Sequence, residues 1–231
     1  MYLSRVRVAT QGLDRNALVK LLSGDAYANH QLLWRLFTQE EERPFLFRQE
    51  MEKDQLDSQE SPRGLPLFYV LSSREPEPVP GVLECQSKPF DPKLSPGDRL
   101  LFKLRANPTM ARKTDGEKRS RRHDVLMDAK WQCRQQGRDA PWEVREAMEA
   151  NAEQWLVNRS EAWGFTLDTT PQLSGYRQHQ WQRKQRQIRF SSVDYEGVIT
   201  VADPERLRAA LFNGVGRSRA FGCGMLMVRR G

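Results

Sequence analysis

Cysteine and histidine are scarce in this chain, and each shortage narrows the chemistry open to it. The three cysteines, Cys85, Cys133 and Cys223, lie far apart with no Cys-x-x-Cys pair. That spacing excludes a disulfide framework and a thiolate zinc site and leaves reduced, mostly buried thiols. With only His30, His123 and His179 present, general acid-base work near neutral pH has few candidates. No apolar run approaches the ~20 residues of a membrane span. Residues 1–9 alternate like a strand rather than a signal peptide, so a cytoplasmic protein without a membrane partner is expected. No Asp/Glu cluster has metal-ligand spacing, and Asp115 and Asp124 are embedded in positive charge, so a two-metal nuclease is disfavoured. Neither a metal nor a cofactor is expected. No serine or cysteine nucleophile motif is present, and no aromatic RNA-binding consensus lies on a central strand, which argues against single-strand stacking on a sheet face.

Positive charge, by contrast, is plentiful. The 231 residues carry 37 Lys and Arg against 30 Asp and Glu, a net charge of +7. Between Tyr176 and Val193 stand Arg177, Arg183, Lys184, Arg186 and Arg189 without one carboxylate. Beyond Gly214 the arginines Arg217, Arg219, Arg229 and Arg230 are likewise unopposed, and Arg112, Lys113, Lys118, Arg119, Arg121 and Arg122 form a third cluster. Such concentration suits a surface that tracks phosphates, although a single basic cluster is also what a solvated face looks like. The cluster beyond Gly214 lies in a run where Gly214, Gly216, Gly222 and Gly224 interleave with Arg217 and Arg219. Glycine permits φ > 0 and close approach of an anion to backbone N–H groups. The run connects a helix to a strand and lacks Gly-Lys-Ser/Thr, so it is neither a dinucleotide fingerprint nor a P-loop.

The pattern predicts a strand over 2–9, helical stretches over 14–22 and 26–38 with Asp25 as N-cap of the second, and strands over 45–49, 67–72 and 82–87, with 52–64 as a polar turn. The prolines of 74–81 leave the second helix of this half short or missing. The turn-rich segment 89–98 separates two domains, 1–92 and 97–231. In the second, a strand over 99–106 precedes a basic segment 107–124, helices over 124–136 and 141–162, a long hairpin over 174–201, a helix over 204–213 and a strand over 223–229. Each half reads approximately as β-α-β-β-α-β. The fold class is therefore α+β, two tandem ferredoxin-like (split β-α-β, RRM-like) domains. Fold alone does not give function.

Tyr27 and His30 stand three apart on the first turn of the helix over 26–38, where they share a face and can reach one reacting group. Metal-free RNA cleavage needs a base for the 2′-hydroxyl proton, an acid for the leaving 5′-oxygen, and cations around the phosphorane. The competing reading is structural, because His30 falls inside the apolar stripe of Ala26, Leu33, Trp34 and Phe37 and would serve as a core histidine. His123 and His179 sit among basic residues and read as surface or phosphate contacts.

Taken together, Met1-Tyr2-Leu3-Ser4 with its alternating strand, the Tyr27-x-x-His30 helix, Pro44-Phe45-Leu46-Phe47-Arg48, Phe102-Lys103-Leu104-Arg105-Ala106-Asn107-Pro108, Tyr195-Glu196-Gly197-Val198-Ile199-Thr200-Val201 and the glycine-rich end resemble the CasE family of CRISPR repeat-processing endoribonucleases over nearly the full length. The resemblance implies a protein that binds the stem-loop of CRISPR repeat RNA and cuts once at the 3′ base of the stem without metal. It further implies a 2′,3′-cyclic phosphate product and retention as a subunit of the subtype I-E Cascade complex beside the other Cascade subunits. It maps the catalytic pair onto Tyr27 and His30 and places the RNA stem on the basic hairpin, with Lys184 chosen as the cation near the scissile phosphate. The expected RNA contacts are Arg105, Arg112, Lys113, Lys118, Arg119, Arg121, Arg122, Arg177, Arg183, Arg186, Arg189, Arg217 and Arg219. A non-catalytic RNA-binding subunit is the alternative, and a duplex-DNA binder lacks any helix-turn-helix or finger signature.

Overall fold

The computed structural model describes residues 1–9, 11–16, 19, 26–51, 65–112, 120–183 and 186–231. The expected helix over 14–22, the Asp25 cap and the 52–64 turn fall mostly or wholly outside them. The chain divides into two compact units, Met1–Lys93 with Arg219–Met225, and Leu94–Ser218 with Leu226–Gly231. Both are α+β units of the ferredoxin-like kind.

In the first unit, strands β1 (Tyr2–Val8), β2 (Phe45–Met51), β3 (Pro66–Ser72) and β4 (Leu83–Pro89) form an antiparallel sheet in the order β2-β3-β1-β4, and helix α1 (Ala26–Trp34) packs in its core through Leu33. Alternation in β1 buries Ser4, Val6 and Val8 and leaves Arg5 and Arg7 less buried. Val6 and Val8 join Leu33, Leu36, Phe37, Phe45, Phe47, Phe68, Val70, Val82 and Leu83 in a single core, each large side chain contributing about 1.5–3 kcal/mol. No helix joins β3 to β4 among the described residues, as the prolines there require. Helix α1 ends at Trp34 rather than Thr38. Leu36 and Phe37 stay buried, but Arg35, Leu36 and Phe37 bond the carbonyls three residues back. The apolar spacing thus outlasts the helix.

The second unit contains β5 (Arg99–Ala106), β6 (Thr109–Arg112), β7 (Arg121–Asp124), α2 (Val125–Gln135), α3 (Pro141–Ser160), β8 (Phe165–Leu167), β9 (Gln172–Arg183), β10 (Arg186–Val201), α4 (Pro204–Asn213) and β11 (Leu226–Arg230). Its sheet runs β11-β5-β10-β8, with β9 also pairing β10. Leu167 pairs Ile199 while Gln172 pairs Glu196, so β8 and β9 follow one edge of β10 in succession. The hairpin then continues to the Arg183–Arg186 pair. Within 107–124, read from sequence only as a basic segment, β6 and β7 form their own two-stranded sheet, Arg112 opposite Arg121. Four-residue strands with charged ends carry too little alternation to be read from sequence. Asp124 caps α2 by accepting from the N–H groups of Leu126 and Met127 at 2.8 and 3.1 Å. Asp203 caps α4 through Arg206 N–H at 3.0 Å. In the core, Trp155 stacks on Tyr195 at 6.0 Å, and the buried Tyr195 hydroxyl donates to the Ala152 carbonyl at 3.1 Å.

The glycine-rich run corrects a second expectation. The closing strand begins at Leu226, not Cys223, and Arg219–Met225 packs with the first unit. Gly222 makes this possible: its φ is +81°, and a Cβ there would stand 3.2 Å from the Phe47 ring. The glycine serves close packing of the chain on β2.

Candidate active site

Helix α1 is fixed to its sheet by Ala26, Asn29 and Leu33, all buried, and by the Asn29 amide donating to Gln49 Oε1 at 2.7 Å. That attachment sets the rotation of the helix and leaves Tyr27 and His30, one turn apart, half-buried at its flank. The His30 ring lies in an aromatic box, with centroids of Phe45 at 6.0 Å, Trp34 at 6.1 Å and Phe221 at 6.2 Å. Phe37 stacks behind Phe45 at 5.0 Å. Two walls come from α1 and β2, and the third from the short 3-10 turn Arg219–Phe221 that Gly222 holds against β2.

One hydrogen bond determines the state of the imidazole. The Trp34 indole N–H, one turn further along α1, donates to His30 Nε2 at 3.0 Å. An indole can only donate, so Nε2 presents a lone pair and the neutral ring carries its proton on Nδ1. His30 Nδ1 is buried and has no partner among the described residues. Burial first, and the charge of Arg43 second, push the His30 pKa down to about 4, so the ring is neutral at pH 7. His30 thus packs on apolar rings, as the core reading expects, yet it is only half-buried and lies in the field of Arg43.

Arg43 itself is half-buried, and its Nη1 atom is buried with no hydrogen-bond partner among the described residues. Its pKa is lowered by burial and by the neighbouring charge of Arg219. An imidazole in the field of one guanidinium, itself in the field of a second, is a place where negative charge is stabilised. Sequence reasoning missed Arg43 because it follows Glu40-Glu41-Glu42 and looks like part of a solvated charge run. Trp34 had a signal, the i,i+4 spacing from His30.

The remaining expected site residues separate into groups. Arg105 grips Asp194 with both prongs at 2.9 and 2.8 Å, and Arg112 grips Asp128 at 2.8 and 2.9 Å. Those guanidiniums are engaged as half-buried ion pairs rather than held free for phosphate. Arg121 and Arg122 on β7, Arg177 on β9, Arg189 on β10, Arg217 and Arg219 are exposed. Arg183 and Arg186 are backbone register partners at the hairpin end. Lys113, Lys118, Arg119 and Lys184 lie outside the described residues. Along the hairpin, Arg177 and His179 share a face with their register partners Ser192 and Phe190. The His179 ring stacks on Phe190 at 4.4 Å and bonds Ser192 Oγ at 2.8 Å. Arg189 points to the other face with Gln180. Among the described residues no group of His, Cys, Asp and Glu is arranged to hold a metal ion, and no helix is long and apolar enough to cross a membrane.

The family described as CRISPR associated protein matches residues 1–230. Over 190 residues, 73% of this chain and 76% of the relative, the sequence is 31% identical to the CRISPR-associated endoribonuclease Cse3 of Thermus thermophilus. Over 230 residues, 99% of this chain and 98% of the relative, it is 26% identical to the CRISPR system Cascade subunit CasE of Escherichia coli. A solved structure of Thermus thermophilus Cse3 bound to an RNA representing a pre-cleavage complex superposes with a TM-score of 0.68 at 27% identity, covering 99% of this chain and 98% of that one.

Proposed function

This chain belongs to the CRISPR-associated protein family, and from that premise we infer that it is an endoribonuclease that binds and processes CRISPR repeat RNA as a Cascade subunit. The finer reading is a single, metal-independent cut at the 3′ base of the repeat stem, leaving a 2′,3′-cyclic phosphate. The protein then stays on its product, and the work is done in the cytoplasm, in keeping with Cys85, Cys133 and Cys223 forming no disulfide among the described residues.

In the proposed reaction the neutral imidazole of His30 takes the proton of the 2′-hydroxyl. The 2′-oxygen attacks phosphorus, the bond from phosphorus to the 5′-oxygen breaks, and the Tyr27 phenol protonates the departing oxygen. His30 can accept a proton through Nε2 only after the Trp34 indole has let go, so substrate binding must shift that ring. Positive charge beside the imidazole stabilises the phosphorane. The observation that carries this reading is a half-buried, neutral imidazole at the flank of α1 within the field of Arg43. The exposed cations Arg177 and Arg189 on the β9–β10 hairpin suit the stem, since an A-form duplex is held by shape and phosphate charge. Lys184, which lies outside the described residues, remains the candidate for a further cation at the scissile bond.

The test is product mapping on the cognate repeat RNA in EDTA. One cut ending in a cyclic phosphate is expected, and none on RNA with a 2′-deoxy substitution at the scissile nucleotide. Cleavage of the deoxy substrate would overturn the mechanism, and tight binding without product would favour the non-catalytic subunit.

A further inference from the structure

Arg43 and Arg219 hold related positions around His30. Arg43 lies two residues before Phe45, and Arg219 two residues before Phe221, and both rings stand about the imidazole at 6.0 and 6.2 Å. Each arginine is thereby tied to a wall of the same aromatic box, one by the start of β2 and the other by the 3-10 turn. Arg43 has a buried Nη1 with no hydrogen-bond partner among the described residues. Of the three glutamates before it, Glu40 is engaged by Arg74 at 2.9 Å, while Glu41 and Glu42 are exposed. A half-desolvated guanidinium that lies in the field of another, with one N–H group buried and unbonded among the described residues, is unfavourable in the free protein. An anion seated between them would relieve both the repulsion and the missing hydrogen bond.

We propose that Arg43 is a catalytic residue that, with Arg219, grips the non-bridging oxygens of the scissile phosphate beside His30. This rests on the cleavage reaction proposed above. A guanidinium can donate two parallel N–H bonds to a phosphate, which orients phosphorus as well as neutralising the charge that grows on the phosphorane. The same charge gives a second benefit once phosphate is bound: the anion screens Arg43 from His30 and makes the imidazole a better proton acceptor. No covalent step is added to the reaction, because Arg43 neither gains nor loses a proton.

The test compares wild type, Arg43→Gln and Arg43→Lys in single-turnover cleavage of cognate repeat RNA at saturating protein, using an unmodified substrate and one with each phosphorothioate diastereomer at the scissile phosphate. Arg43→Gln should cut about 10²–10³-fold more slowly, and Arg43→Lys should recover part of the loss. Wild type should discriminate between the diastereomers, and Arg43→Gln should lose that discrimination, a readout that a merely structural role would not move. Thermal unfolding should show Arg43→Gln as stable as wild type or more so, since an unsatisfied charge is removed. The proposal is overturned if Arg43→Gln cuts at the wild-type rate, or cuts slowly with the wild-type diastereomer preference intact. Absence of any cut by wild type would instead overturn the endoribonuclease reading beneath it.

Discussion

Replacing Trp34 by Phe removes a single N–H group from the His30 box while keeping an aromatic ring in place, and its effect can be worked from the structure. The indole donates to Nε2 at 3.0 Å, a bond that exists only when that nitrogen is unprotonated. It therefore favours the neutral ring, and its loss raises the His30 pKa. A net hydrogen-bond contribution of about 1 kcal/mol corresponds to about 0.7 pKa unit. The shift moves His30 upward from about 4 but short of its ordinary value, because burial and Arg43 remain. The consequence for stability follows from proton counting. In wild type the unfolded chain binds the His30 proton below about 6.5 while the folded protein resists it until about 4. Stability contributed by neutral His30 is thus full above 6.5 and lost as pH falls toward 4. Screened by water at a half-buried site, the span is worth about 1–2 kcal/mol. In Trp34→Phe that span contracts. Urea unfolding of both proteins at pH 7.5 and 5, with histidine NMR titration, measures it, and carboxylates common to both cancel in the difference. A cavity left by the smaller ring lowers stability at both pH values alike and leaves the difference untouched. A His30 pKa in Trp34→Phe equal to or below that of wild type would refute the assigned hydrogen bond and the tautomer deduced from it.

Other consequences are more direct. Gly222→Ala places a Cβ at φ +81° and 3.2 Å from Phe47, so it should destabilise by about 1–3 kcal/mol and slow cleavage by displacing Phe221 and Arg219, read by thermal unfolding and single-turnover rates. Tyr195→Phe leaves the Ala152 carbonyl without its 3.1 Å donor and should cost about 1 kcal/mol in urea unfolding with RNA affinity unchanged. The double variant Arg177→Ala with Arg189→Ala removes two exposed hairpin cations. It should reduce the slope of log affinity against log salt by roughly 1.5–2 in filter binding to the repeat stem, and an unchanged slope would remove the stem from this hairpin.

Much of this architecture was legible from the chain because its signals are local. Alternation in β1, the proline block before β4, the polar-apolar hairpin of β9 and β10, and the Asp203-Pro204 start of α4 each announce themselves within a few residues. What escaped reading depends on distant partners. Nothing in the sequence around Cys223 says that Arg219–Met225 belongs with β2 rather than with the strand it precedes, since the reason is the fit of Gly222 on Phe47, 175 positions away. Arg105 and Arg112 look like free cations until their carboxylates, Asp194 and Asp128, are brought beside them by folding. The candidate site divides in the same way. Tyr27, His30 and even Trp34 follow from helical spacing, whereas Arg43 and Phe221 come to His30 through the tertiary fold.

The central claim is that the His30 imidazole acts on the RNA rather than merely filling the box of Trp34, Phe45 and Phe221. The most direct measurement pairs the affinity and the single-turnover cleavage rate of His30→Ala on the cognate repeat RNA, with folding checked by circular dichroism. The account predicts a folded variant that binds within about threefold of wild type and cuts at least 10²-fold more slowly. A folded His30→Ala protein that still cuts at the wild-type rate would contradict it.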